Sequence, residues 1–339
     1  MSQAPATQPV ASPMMLMDTA WGFTRTQVLE SGVELDIFTQ IEKGHTNAKS
    51  LAQAIGASER GVRILLNALV GLRVLEKAGE QYQLTEGARI FLSKISPAYM
   101  GEWLLHVNQL MPAWAHLTEV VRSGVPPQKV EGEGDRGEFF SKLVAGLFTM
   151  NAPGAQAAAK AMVGQRSGLR ILDIGAGSGV WGIAFAQRDP HTHVTVADYP
   201  KVLGIAKQFV ARHGLADRFQ YLAGNFREVD FGREQYDIAI LGHICHSEGA
   251  RNTRTLFQRI RRALKPGGRL LIAEFLVDEE RRTETFPLLF AVNMLVNTEE
   301  GDTFSMSELR TWLEEAGFKT VETLEAPTPS PLIVARVGN

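Results

Sequence analysis

A chain of 339 residues is longer than one hydrophobic core usually fills, so two domains and a sizeable buried interior are expected. Thirty-five Lys and Arg against 37 Asp and Glu leave a formal charge of -2, which excludes a global field for nucleic acid or an anionic membrane and points to a small-molecule partner. The single cysteine, Cys245, excludes internal disulfides and a cysteine-based metal site. With no signal peptide in residues 1–13 and no apolar run of membrane-spanning length, a cytoplasmic protein is expected.

In chain order, Met15, Trp21, Phe23, Val28, Leu29, Val33, Leu35 and Phe38 recur at steps of three and four, which predicts one or two helices over 14–38. Residues 46–56 and 58–75 read as two more helices, with Asn47 and Ser58 as N-caps and Gly56 closing the first; residues 81–85 read as a short strand. Helix, turn, helix and a strand pair make a winged-helix pattern, whose sharpest reading is DNA binding through the second helix. That helix carries only Arg60 and Arg63 among apolar residues, so it lacks a phosphate-binding face, and a core or subunit interface accounts for it better. Residues 98–150 are helical again, broken by a polar loop at 123–135, and a helix over 152–163 leads into a composition change at 164–168. This places a mainly helical domain at 14–150 and a second domain at 151–339.

In the second domain, strand candidates at 170–174, 193–197, 219–223, 236–242, 269–274 and 330–337 alternate with amphipathic segments near 180–188, 202–213, 251–264 and 305–316. The expected class is α/β: a Rossmann-like, doubly wound, mostly parallel sheet covered on both faces. Its first strand runs into Asp173-Ile-Gly175-Ala-Gly177-Ser-Gly179, glycines that let the backbone turn sharply and approach a ligand at the carboxyl end of the sheet. The spacing departs from the Gly-x-Gly-x-x-Gly pyrophosphate turn, which favours a ligand without a pyrophosphate. Asp198 ends the next strand, where a carboxylate can accept both hydroxyls of a ribose. Asn225 and Phe226 end the third, where they could pair with an adenine edge and cover its face.

Together with Asp198-Tyr199-Pro, Gly224-Asn-Phe226, Ile244-Cys-His246, Lys265-Pro-Gly-Gly268 and Leu313-Glu-Glu-Ala-Gly-Phe318, this loop resembles the two-domain, class I S-adenosylmethionine O-methyltransferases of plant phenylpropanoid, melatonin and bacterial antibiotic pathways. The resemblance covers almost all of the chain after residue 14. It implies a winged-helix-like N-terminal dimerisation domain that also serves as a substrate lid, a likeness to homodimers, and methyl transfer from S-adenosylmethionine, leaving S-adenosylhomocysteine, to a hydroxyl of a small aromatic metabolite. In such enzymes the histidine is the general base, a role that passes here to His246, with Glu274 orienting it. A neutral imidazole can take a hydroxyl proton near the operating pH, and a carboxylate on its other nitrogen fixes the tautomer. The cofactor set implied is Asp173, Gly175, Gly177, Asp198, Tyr199, Asn225, Phe226 and Gly242. The acceptor set comprises Trp103, His106, Phe148, Met294 and Asn297, with Asn108, Met111, Trp114 and Phe290 as further aromatic, thioether or polar surface. His243 beside His246 invites a metal reading, but no third ligand is evident and no metal is expected.

This chain departs from the pattern at several positions. Ser247-Glu248 replaces the family's Asp-Trp, removing an aromatic wall expected near adenine; Asn225 replaces an aspartate; and Thr303 stands where a second orienting glutamate is found, with Glu300 and Asp302 nearby. These changes keep open an alternative in which nitrogen, sulfur or carbon is methylated by proximity alone. A ligand-sensing DNA-binding regulator would need the basic helix that is missing. A third reading is a cofactor-binding protein that has lost methyl transfer and performs another reaction, against which the retained His246 and Glu274 count.

Overall fold

The computed structural model describes residues 13–127, 133–328 and 330–338. Packing divides the chain into two units at Asn108/Gln109.

The first unit contains helices α1 (Pro13–Ala20), α2 (Gly22–Glu34), α3 (Ile37–Glu42), α4 (Ala48–Ile55) and α5 (Glu59–Gly71), strands β1 (Leu75–Ala78) and β2 (Gln81–Leu84), and helices α6 (Glu86–Leu92) and α7 (Gly101–Asn108). Both expected caps are present: the Asn47 side chain accepts from Ser50 N at 2.9 Å and Ser58 Oγ from Gly61 N at 3.3 Å. Gly56 ends α4 in the left-handed region, as anticipated. The second of these helices stops at Gly71 rather than running to residue 75, and Leu75 instead opens the antiparallel β1–β2 pair. Its buried side chains, Val62, Leu66 and Leu69, join Ile37, Phe38, Leu51 and Tyr82 in one core. The apolar face of α5 is therefore used inside this unit.

The second unit opens with helices α8 (Met111–Ala115) and α9 (Leu117–Ser123), followed by α10 (Glu133–Val163). The loop expected over 123–135 begins where α9 ends at Ser123; its residues 128–132 lie outside the described residues, and 133–135 are already helical. Helix α10 runs through Pro153 without a break, so the domain boundary expected near residue 150 falls inside one continuous helix, and the composition change at 164–168 follows its end.

Next come β3 (Arg170–Ile174), α11 (Val180–Arg188), β4 (His193–Asp198), α12 (Pro200–Arg212), β5 (Phe219–Ala223), β6 (Tyr236–Gly242), α13 (Cys245–Ala263), β7 (Leu264–Ala273) and β8 (Leu276–Val277). The chain finishes with α14 (Thr285–Asn297), β9 (Phe304–Ser305), α15 (Met306–Glu315), β10 (Phe318–Leu324) and β11 (Leu332–Val337). Seven strands form one sheet in the order β10-β11-β7-β6-β3-β4-β5. The β7-β6-β3-β4-β5 portion is parallel, as expected, and β11 and β10 add an antiparallel edge. Strand β10 is absent from the sequence reading because Phe318-Lys-Thr-Val-Glu-Thr-Leu324 shows only two buried positions, the mark of an edge strand.

Both faces of the sheet are covered because alternate residues of each strand are apolar on opposite sides. Ile171, Ile238, Ile240 and Leu271 pack with Trp181 and Phe185 of α11 and with the end of α10, while Leu172, Ala239, Leu241 and Ile272 pack with Phe257 of α13 and with Trp312 and Leu313 of α15. The strand order reverses between β3 and β6. The carboxyl ends of these two strands open the crevice where doubly wound sheets bind ligands.

Candidate active site

Strand β3 delivers Asp173 and then the glycine loop to that crevice. Gly175, Gly177 and Gly179 take φ values of 61, 57 and 75°, and a Cβ on Gly175 would stand 2.3 Å from Ile244 Cδ1. Only glycine fits there, because both the left-handed backbone and the close approach exclude a side chain. Asp198, at the end of β4, receives Gly177 N on one carboxylate oxygen at 2.9 Å and Tyr199 N on the other at 2.7 Å. Burial pushes its carboxyl up to about 6. Asp173 is fully buried; its Oδ2 accepts from Gly182 N at 3.0 Å, while its Oδ1 has no hydrogen-bond partner among the described residues. Burial, with the Asp198 carboxylate adding to it, pushes Asp173 up to about 8.

Around this loop stand Tyr199 and Phe226, both buried, with ring centroids 6.4 Å apart. Asn225 closes its own turn: its Oδ1 accepts from Arg227 N at 3.1 Å and its Nδ2 donates to Glu228 Oε1 at 3.3 Å. Gly242 ends β6 under Trp181, whose Nε1 would lie 2.3 Å from a Cβ added there. Its small size thus serves the packing of Trp181.

His246 lies on the first turn of α13, and Glu274 directly follows β7. His246 Nδ1 is 2.6 Å from Glu274 Oε1, and the backbone N–H of His246 donates to Glu274 Oε2 at 3.2 Å. Phe275 N donates to Oε1 at 2.9 Å. Glu274 is wholly buried; burial by itself raises its carboxyl, but the nearby His246, the hydrogen bonds and His243 outweigh it and hold the group below its ordinary value. An ionised carboxylate on Nδ1 keeps the proton there and leaves Nε2 with its lone pair. Glu300 and Asp302 face elsewhere, Glu300 to Asn252 Nδ2 at 3.3 Å and Asp302 Oδ1 to Thr303 N at 2.7 Å, while Thr303 Oγ1 donates to Pro287 O at 3.2 Å.

Aromatic rings border the histidine. Phe290 meets it edge-on at 4.9 Å, Phe275 stacks at 5.9 Å, and Phe286 lies 5.0 Å from Phe275. Phe275 and Phe286 are absent from the sequence reading, although the position of Phe275 directly after the orienting carboxylate was a usable signal. His243, at a strained φ of 62°, turns its Nε2 to Ser330 Oγ at 2.7 Å, and burial lowers its imidazole to about 4. The other acceptor candidates divide. Met294 is buried, and its Cβ would lie 3.2 Å from one on Gly301, in the loop whose Asp302 N donates to His246 O. Asn297 donates to Asn293, which also accepts from Trp114 Nε1 at 3.1 Å. Phe148 is not among the rings around His246: it stacks on Phe209 at 4.7 Å and His213 at 5.4 Å, because α10 packs along α12. Trp103 and His106 are on α7 of the first unit, half-buried and buried.

Residues 114–319 match the O-methyltransferase domain family, and residues 17–94 the O-methyltransferase dimerisation domain. The chain belongs to the O-methyltransferase family. It is 32% identical over 326 residues, 94% of this chain and 92% of the relative, to a 3-hydroxy-5-methyl-1-naphthoate 3-O-methyltransferase of Streptomyces sahachiroi. A tetracenomycin polyketide synthesis 8-O-methyl transferase of Streptomyces glaucescens is 30% identical over 340 residues, 96% of this chain and 97% of the relative. The crystal structure of human N-acetylserotonin methyltransferase in complex with SAM superposes with a TM-score of 0.83 at 26% identity, over 98% of this chain and all of that one.

Proposed function

We propose that this O-methyltransferase transfers the methyl group of S-adenosylmethionine to a hydroxyl of a small aromatic molecule, with His246 as general base. The observation that carries the reading is the buried 2.6 Å contact of His246 Nδ1 with Glu274, set among Phe275 and Phe290 at the carboxyl end of the sheet. The residues present fit the cofactor. Asp198 presents a carboxylate for ribose hydroxyls, the glycine loop leaves room for close approach, Tyr199 and Phe226 offer ring faces, and Oδ1 of buried Asp173, without a hydrogen-bond partner among the described residues, calls for a polar one. The sulfonium supplies a methyl already activated for transfer. With that cofactor bound, His246 Nε2 would take the proton of the acceptor hydroxyl as its oxygen displaced S-adenosylhomocysteine from the methyl, the S–CH3 bond breaking as the O–CH3 bond formed, and Glu274 would stabilise the imidazolium.

The same reading keeps Met294, Asn297, Trp103 and His106 as acceptor contacts, each tested by the acceptor KM of its alanine variant. Residues 14–150 are assigned to dimerisation and acceptor covering, and 151–339 to the cofactor. Exposed Met14, Met15, Leu16, Trp21 and Phe23 give α1 and α2 an apolar surface suited to a homodimer, which sedimentation equilibrium tests. No described helix is long and apolar enough to cross a membrane, and the single buried thiol suits a reducing cytoplasm. The central experiment is isothermal calorimetry with S-adenosylmethionine and S-adenosylhomocysteine on wild type and Asp198→Ala, followed by methyl transfer to phenols and naphthols by wild type and His246→Ala. Absence of binding to wild type overturns the reading; binding with full activity in His246→Ala overturns the role of the base.

A further inference from the structure

A backbone break at Gly249 sets the turn that bears His246 apart from the rest of the helix it opens. Gly249, at φ 72° and ψ 172°, breaks α13 directly after Glu248, and its Cα is pressed against the Glu300 carbonyl, where a Cβ would come within 2.2 Å. Residues 245–248 therefore gain little orientation from the hydrogen-bond ladder beyond the break. From beyond the break, Thr253 Oγ1 donates to Cys245 O at 3.2 Å and Asn252 Nδ2 to Glu248 O at 3.0 Å, and three partners outside α13 add to these. Glu274 binds the His246 ring and N–H, Asp302 N donates to His246 O at 2.9 Å, and Glu248 makes a two-point ion pair with Arg227.

In that pair Arg227 Nε lies 2.7 Å from one Glu248 oxygen and Nη2 3.1 Å from the other. Only 6% of the Glu248 side chain is exposed, and its hydrogen bond is the leading cause that raises the Arg227 guanidinium. A planar, bidentate pair of this kind fixes direction as well as distance. Arg227 belongs to the turn after β5 that carries Asn225 and Phe226, and Arg259 clamps the same turn by binding the carbonyls of Phe226 and Val229. One rigid link thus runs from the segment expected to cover adenine to the turn holding the base.

We propose that Arg227 and Glu248 are positioning residues that transmit cofactor occupancy at the 225–227 turn to the orientation of His246. The inference rests on the proposed cofactor site. It is tested without an acceptor, by the ¹³Cε1 signal of His246 in histidine-labelled protein, assigned through His246→Asn, during titration with S-adenosylhomocysteine. In wild type the signal shifts with occupancy. In Arg227→Met/Glu248→Met, which removes both charges and leaves no buried ion unpaired, S-adenosylhomocysteine still binds within about tenfold while the His246 response falls by about half or more. Arg227→Lys, which keeps the charge but loses the two-point geometry, gives an intermediate response and stands in if the double variant fails to fold. An equal response in wild type and variants, or no response in wild type despite binding, overturns the coupling alone; no binding to wild type overturns the cofactor reading with it.

Discussion

Glu274→Gln is the most discriminating single change. Each carboxylate oxygen is committed to donors: Oε1 to His246 Nδ1 and Phe275 N, Oε2 to His246 N. A glutamine amide has one oxygen for these two positions. With its oxygen toward the ring, its NH2 abuts the His246 N–H; with its NH2 toward the ring, Nδ1 must accept, and the proton moves to Nε2, where the base is needed. Either orientation also removes the charge facing the imidazolium. A hydrogen bond to a charged group contributes about 1.5–3 kcal/mol, and about 1.4 kcal/mol is tenfold, so kcat should fall roughly 10- to 150-fold. The assay is release of S-adenosylhomocysteine with a naphthol acceptor, alongside cofactor calorimetry and thermal unfolding. Because Glu274 is held below its ordinary value of 4.5, its contribution to stability is present above that pH and lost as pH falls through the lower folded value. The difference in Tm between wild type and variant should therefore be level from about pH 6 to 8 and change only in acid. A folded, cofactor-binding variant with wild-type kcat would refute the reasoning.

Three further outcomes follow from the same geometry. His246→Ala should lose about 10²- to 10⁴-fold in kcat while keeping S-adenosylhomocysteine affinity, since the ring is assigned to proton transfer rather than cofactor binding; a loss confined to affinity in calorimetry would contradict that assignment. Asp173, raised to about 8, keeps its proton in the folded apoprotein while the unfolded chain has lost it above 3.8, so its contribution to stability falls as pH rises from 3.8 to about 8. Asp173→Asn should flatten that slope, about 1.4 kcal/mol per pH unit at most, in urea unfolding across pH 5 to 8. Gly175→Ala meets Ile244 at 2.3 Å in a left-handed backbone, which itself costs about 1–2 kcal/mol, and should weaken cofactor binding at least about tenfold; unchanged affinity would show that the loop relaxes freely.

Sequence pattern carried the parts of this protein that depend on local physics. The caps at Asn47 and Ser58, the left-handed Gly56, the alternation of strands and helices after residue 170, and the glycine loop between β3 and α11 follow from backbone preferences and apolar periodicity within a few residues, so they are legible without any fold. Strand β10 was hidden because it buries only Phe318 and Val321, too few to show an alternating pattern, and α10 read as separate segments although it continues through Pro153, a residue that usually ends a helix. What required tertiary structure is every relation between distant segments. Glu274 reaches His246 because β7 lies beside β6, and Phe148 turns from the base because α10 packs on α12. Arg227 of the turn after β5 meets Glu248 of the first turn of α13, a pairing that no periodicity announces, because charge complementarity between segments acts through space and leaves no spacing in the chain.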